Sequence, residues 1–275
     1  MTGVVDVAAL ARELMVAYET RRILPKPPSG RDGGLDLAAA YAVEGELVRL
    51  RRASGRSTVG RKVGFANKAL WRALKLETLV WAHMYDDTVR YAEGNAATLT
   101  LSAMRSPKIE PEIVFKLKDD LHSDAGPADV LGAVEWLALG FEIIDCVYAD
   151  WKFQPADFVA AYGLHAALVV GEPRAVAPGM IPALVDQLPR FTVKLLNGDR
   201  VVGEGSGRNS LRSPALCLGE LASAVLRQPG ASPLAAGELV SSGTLTESQP
   251  IADGETWTAI VDGLDLPSLT VTTAA

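Results

Sequence analysis

Over the first fifty-odd positions apolar residues recur at helical spacing; beyond them the spacing falls to two and glycines break the runs. "DVAALARELMVAYETRR" carries its apolar residues at helical intervals behind Asp6, a suitable N-cap, so a helix is predicted there. "LPKPPSGRDGG" cannot continue it, because proline lacks the amide N–H and glycine favours turns. A second helix follows in "LDLAAAYAVEGELVRLRRASG", closed by Gly55. In "VGRKVGF", Val59, Arg61, Val63 and Phe65 alternate with Gly60, Lys62 and Gly64, which predicts a strand ending in a glycine turn. "NKALWRALKL" predicts a short helix capped by Asn67, and "GPADVLGAVEWLAL" a further one. "FTVKLLNGDRVVGEG" reads as a hairpin turning at Asn197-Gly198. After the helix "SPALCLGELASAVLRQ" the chain is short strands joined by glycine turns. Nothing resembles regular βαβ units, so the expectation is an α+β protein: a helical N-terminal region over 1–95 and a β-rich body over 96–275.

Composition narrows the function classes. With 275 residues, 48% of them apolar, the chain can bury a substantial core. A net charge of −6 and the lack of a long basic run argue against nucleic acid as a partner. No apolar run is long enough for a membrane span and no leader pattern opens the chain, so a cytoplasmic protein is expected. Cys146 and Cys217 both lie in apolar surroundings and read as buried free thiols.

The candidate chemistry lies in "KIEPEIVFKL". Ile109, Ile113 and Phe115 share one face of a predicted strand, which puts Glu110 and Glu112 together on the other, roughly 7 Å apart at Cα. Two carboxylates that close repel, and burying both is expensive. Either the face is solvated or a cation sits between them. In "GFEIIDCVYADW", Glu142 and Asp145 interrupt another apolar run, and a third carboxylate would complete an oxygen-rich site for Mg²⁺ or Mn²⁺. His83, His122 and His165 have no ligand spacing, so zinc is not expected. Lys62, among glycines, reads equally as an edge-strand surface lysine or as a cation reaching a bound carboxylate or enolate.

"GRKVGF", "KIEPEIVFKL", "GFEIIDCVYADWKF" and "ELVSSGTLTESQPIADGE" occur in an order and spacing similar to the fumarylacetoacetate hydrolase superfamily. The set spans nearly the whole chain and most resembles the 2-keto-4-pentenoate hydratase/4-oxalocrotonate decarboxylase branch. That resemblance implies a helical N-terminal segment before a rolled, flattened barrel-like mixed sheet. It implies Mg²⁺ or Mn²⁺ on Glu110, Glu112 and a third acid that matches Glu142, with Asp145 as runner-up. The family lysine matches Lys62, and a hydroxyl-bearing turn near the C-terminus matches Ser242, Gly243, Thr244 and Thr246. The implied activity is hydration of a small unsaturated 2-oxo acid from ring-cleavage catabolism, by a homo-oligomer. Decarboxylation of a 4-oxalocrotonate-type acid and hydrolysis of an acylpyruvate C–C bond are the alternatives, because a metal-polarised 2-oxo acid is the electron sink for all three. A binding protein with a solvated acidic strand is the rival from another class.

Three stretches depart from the branch. Where many of its hydratases carry P-D-F-G, this chain has "ETLVWAHMYDD", with Asp86 and Asp87 several residues late. Its D-S-R becomes "DCV", and its V-A-D-N-A-S becomes "FVAAYGLHAAL", which introduces Tyr162 and His165. His165 is a candidate general base, with His83 behind it. Arg208, beside Asn209 in "GSGRNSL", is a candidate for orienting a substrate carboxylate.

Overall fold

The computed structural model describes residues 5–123 and 125–275. Two N-terminal helices, α1 (Val7–Glu19) and α2 (Leu37–Ala53), begin at Asp6 and Asp36, whose carboxylates accept from the Ala9 and Ala39 N–H groups. Leu10, Ala11, Leu14 and Ala17 form the buried stripe of α1. Then come β1 (Thr58–Gly64), α3 (Lys68–Leu74) capped by Asn67, β2 (Val80–Tyr85), β3 (Val89–Tyr91), β4 (Ala96–Thr100) and β5 (Lys108–Leu117). The middle of the chain supplies α4 (Pro127–Gly132), β6 (Val134–Ile144), α5 (Pro155–Ala160), β7 (His165–Val170), β8 (Arg174–Ala175) and α6 (Ile181–Gln187). The remainder is β9 (Thr192–Asn197), β10 (Arg200–Ser206), α7 (Pro214–Leu226), β11 (Leu239–Ser241), β12 (Gln249–Pro250), β13 (Thr256–Asp262) and β14 (Leu269–Ala274).

The main sheet runs β2-β1-β11-β5-β6-β7-β3, with β12 added to β5 and β8 to β6. It is mixed: β1/β11 and β3/β7 are parallel, and the other pairs are antiparallel. A second sheet, β10-β9-β13-β14-β4, holds the Asn197-Gly198 hairpin, with Gly198 at φ +57°. The α+β class, the helical start and the rolled mixed sheet are therefore as expected. The main sheet draws strands from either side of residue 95, whereas the second lies wholly within 96–275.

One predicted element is corrected. Of "GPADVLGAVEWLAL" only Pro127–Gly132 is helical, and the rest opens β6. β6 is buried on both faces, so its side chains show no two-residue alternation, and an apolar run of that kind does not distinguish strand from helix. This strand positions the site. Antiparallel pairing sets Glu110 directly opposite Glu142, and Glu112 opposite Gly140. Ile109, Ile113 and Phe115 enter the main core, whereas Val114 joins a smaller cluster with Met84, Ala138, Leu168, Val170 and Leu239 on the other side. Gly60 of β1 lies so close to β11 that a Cβ there would stand 2.0 Å from the Leu239 carbonyl oxygen.

Candidate metal centre and substrate cavity

Glu110, Glu112 and Glu142 each offer a carboxylate oxygen, and these oxygens all lie within 4.8 Å of one another. Cross-strand register makes this contact unavoidable, because directly opposed residues place their Cβ atoms about 5 Å apart. Glu112 is fully buried; its Oε2 accepts from Ser241 Oγ at 2.5 Å and from the Gly243 N–H at 2.8 Å. Glu142 is equally buried, with Oε1 2.9 Å from His165 Nδ1 and Oε2 3.2 Å from Lys62 Nζ.

The electrostatics point to a cation. Burial, reinforced by Glu142 and then Glu110, holds the Glu112 carboxyl well above the usual carboxylate range. Burial likewise pushes Glu110 up, to about 7, although Lys62 pulls against it. Glu142 starts from the same desolvation, but Lys62 and then His165 bring it below its ordinary value. Glu112 Oε1 is buried with no hydrogen bond, and Glu142 Oε2 meets only the Lys62 ammonium, a costly state for carboxylate oxygens. Three hard oxygen donors, with Glu112 Oε1 left bare, fit Mg²⁺ or Mn²⁺, and no cysteine or histidine joins the cluster to favour zinc.

Lys62 is only 2% exposed, so the surface reading of this lysine fails. Its ammonium donates to the Gly163 carbonyl at 3.0 Å, pairs with Glu142, and stands 4.8 Å from the centre of the Phe158 ring. Gly163 lies in a left-handed turn, with Tyr162, Gly163 and Leu164 at φ +56°, +58° and +56°. A residue with a Cβ at 163 would meet Lys62 Cδ at 2.7 Å and Ala82 Cβ at 2.9 Å. Strain of this kind persists only where the surroundings impose it.

Lys62 and Glu110 open onto a cavity of about 1130 Å³. Phe65, Phe153, Phe158 and Leu164 give it an apolar wall, while Lys68, Lys108, Arg208 and Arg212 line it with positive charge. Of the other residues singled out from sequence, Thr244 lines this cavity, but Ser242 turns its hydroxyl onto the Ile113 carbonyl. His165 stands behind Glu142 rather than on the cavity, its Nε2 2.9 Å from Thr88 Oγ1, and lines a separate cavity of about 250 Å³. Asp145 is turned away from the triad and held by Arg105 Nη1 at 2.7 Å and by the Arg105 and Ser106 N–H groups. His83 lies beside Glu44, with Nδ1 2.7 Å from Oε1. The contributions of Ser241, the Gly243 N–H and the Gly163 carbonyl were not anticipated; only the glycine-rich spelling of those turns hinted at them.

No protein-family model matches the chain. It is 31% identical over 239 residues to the 2-hydroxyhexa-2,4-dienoate hydratase of Comamonas testosteroni, covering 85% of each chain. It is 26% identical over 260 residues to a 2-keto-4-pentenoate hydratase of Burkholderia vietnamiensis, covering 94% of this chain and 95% of that one. Among solved structures, the 4-oxalocrotonate decarboxylase of Pseudomonas putida G7, complexed with magnesium and adipate, superposes with a TM-score of 0.86 at 25% identity over 97% of both chains.

Proposed function

The chain belongs to the fumarylacetoacetate hydrolase superfamily, in the branch of the 2-keto-4-pentenoate hydratases and 4-oxalocrotonate decarboxylases, and on that premise we propose a divalent-metal-dependent lyase that adds water to a small unsaturated 2-oxo acid. The observation that carries this reading is the carboxylate triad, with Glu112 and Glu142 buried and Glu110 half-buried, and the Lys62 ammonium beside it where Lys62 and Glu110 line one cavity. Glu110, Glu112 and Glu142 would hold Mg²⁺ or Mn²⁺, which when bound supplies Lewis acidity toward a 2-oxo acid.

The chain's own residues do the rest. Ser241 and the Gly243 N–H fix the Glu112 carboxylate, and His165 fixes Glu142, so two of the three ligands are oriented before any cation arrives. His165 thus acts through Glu142 and not by touching substrate. Lys62 spends two of its ammonium directions on Gly163 and Glu142 and keeps the third for a substrate oxygen, as a preorganised charge. Arg208 and Thr244 line the same cavity and would meet the substrate there. The wall of Phe65, Phe153, Phe158 and Leu164 limits water around the reacting carbons, which strengthens each of these charges. Buried free thiols at Cys146 and Cys217 suit a reducing cytoplasm, where we place a homo-oligomer with no nucleic-acid partner. No helix among the described residues is long and apolar enough to cross a membrane.

A second reading is favoured by Lys68, Lys108, Arg208 and Arg212, opposed among the lining residues only by Glu110 and Glu247. Such a rim suits a substrate with a second carboxylate, and hence decarboxylation of a 4-oxalocrotonate-type acid. The test is calorimetric titration of metal-stripped protein with Mn²⁺ beside Glu112→Gln, then assays of the loaded enzyme for water addition and carbon dioxide release. Mn²⁺ binding lost in the variant, with water added to a 2-oxo dienoate, is the expected result. Undiminished binding or turnover in Glu112→Gln would overturn the site.

A further inference from the structure

Lys108, Glu110 and Glu112 share one face of β5, each about 7 Å from the next at Cα. Burial falls off along that face: Glu112 is fully buried, whereas Glu110 and Lys108 are half-buried. Glu110 and Lys108 also line the metal cavity. The strand therefore leads outward from two metal ligands to a cation.

The Lys108 ammonium is aimed, not loose. It stands 4.1 Å from the centre of the Trp151 ring and has no hydrogen-bond or ion-pair partner among the described residues. Trp151 is fixed in turn, its indole Nε1–H donating to Ser106 Oγ at 2.9 Å. The backbone beneath it is strained: Asp150 and Trp151 are consecutive left-handed residues, at φ +55° and +56°, and neither is glycine. Asp150 makes only an exposed pairing with Lys152, which leaves the strain unexplained. What the two residues achieve is an indole laid against Lys108 in the wall of the cavity.

Lys68, Arg208 and Arg212 line the same cavity, but all three are exposed. Water screens an exposed charge, so a half-buried ammonium without a countercharge acts more strongly on a bound anion. An aromatic face attracts that charge while leaving its N–H donors for an oxygen acceptor. A 2-oxo acid held at the metal and extended along β5 would carry its far atoms to Lys108, and a six-carbon chain is about as long as that step. A hydrocarbon end would strip water from the ammonium and return no hydrogen bond. We propose that Lys108, positioned by Trp151, reads the far end of the substrate and selects a six-carbon 2-oxo acid with a second, terminal carboxylate. This rests on the metal-dependent reading of the cavity and assigns the residue that sets its substrate class.

Two saturated acids of equal length serve as probes, 2-oxoadipate and 2-oxohexanoate, which differ only in a carboxylate or a methyl group at C6. Each is titrated calorimetrically into the Mn²⁺-loaded full chain. 2-Oxoadipate is expected to bind about tenfold more tightly. Lys108→Met should bring the two together by weakening 2-oxoadipate alone, and Lys108→Arg should restore most of the difference. Trp151→Leu keeps the lysine but removes its platform and should lose part of the preference; Trp151→Phe should retain it. A packing role alone would move both acids together. Equal binding by the unmutated protein would overturn the proposal and leave the metal site standing. A preference that survives Lys108→Met, or vanishes in Arg208→Met instead, would also overturn it. So would loss of both acids together in Lys108→Met, which would put the lysine at the metal-bound end. Binding of neither acid by the Mn²⁺-loaded protein would sink the 2-oxo acid reading of the cavity itself.

Discussion

Gly163 and Gly198 share a backbone conformation, at φ +58° and +57°, but not their surroundings. An added Cβ at 198 meets nothing within 4 Å, whereas at 163 it meets Lys62 Cδ at 2.7 Å and Ala82 Cβ at 2.9 Å. Alanine at either position pays the left-handed penalty of about 1–2 kcal/mol. At 163 alone it must also displace a packed neighbour, for about 1–3 kcal/mol more. Lys62 cannot swing aside cheaply, because its ammonium is held by Gly163 and Glu142, and Ala82 belongs to the sheet. Gly163→Ala is therefore expected to lose roughly 2–5 kcal/mol in chemical denaturation, against about 1–2 kcal/mol for Gly198→Ala. Turnover should separate the two more sharply. A misplaced Lys62 is expected to cut kcat/KM on the order of 10–100-fold, while Gly198→Ala keeps full activity. Equal losses of stability and activity in the two variants would refute the argument that the turn at 162–164 exists to aim Lys62.

Three further outcomes follow from the same geometry. Mn²⁺ affinity should weaken as pH falls from about 8 to about 6, by up to about tenfold per unit below 7, because a proton on Glu110 competes with the cation. In metal-free protein the sign reverses: the folded pKa of Glu110 lies above the unfolded one, so its contribution is present at acid pH and lost as pH rises through about 7. Chelation, followed by thermal melts, should then cost more stability at high pH than at low. His165→Gln is expected to weaken Mn²⁺ about 10–100-fold by calorimetry while sparing kcat at saturating metal, since it removes support for Glu142 and no substrate contact; unchanged affinity would count against that role. Asp145→Asn strips the buried Arg105 guanidinium of its countercharge and should cost about 3–5 kcal/mol in denaturation. Mn²⁺ binding by that variant should survive, because Asp145 is not a ligand.

The local signals that read true were those with a stereochemical cause of their own: Asp6 and Asn67 as caps, and Asn197-Gly198 as a hairpin turn. Glu110 and Glu112 could be placed on one face because period two is a property of any strand. β6 was hidden because it is sandwiched, and a strand apolar on both faces carries no alternation to read. Its glutamate was reached through resemblance, and the pairing of Glu110 with Glu142 is a fact of register that no local pattern holds. The support around the site escaped for a similar reason. Ser241, Gly243 and Gly163 act from strands and turns far away along the chain, so their roles exist only after folding. Arg61 is the opposite case: its alternation with Lys62 is visible in the sequence, but its burial follows from what packs against the far face of β1, which no local pattern holds.

That alternation leaves β1 with a hazard of mistaken identity. If the strand slid by one residue, Arg61 would arrive where Lys62 belongs, and the carboxylates would accept one cation about as readily as the other. Charge cannot proofread the pairing here. Gly60 can, since its position against the Leu239 carbonyl admits no side chain, and a slip either way would drive Val59 or Arg61 into that backbone. A residue without functional groups thus acts as the checkpoint that decides which cation the cavity receives.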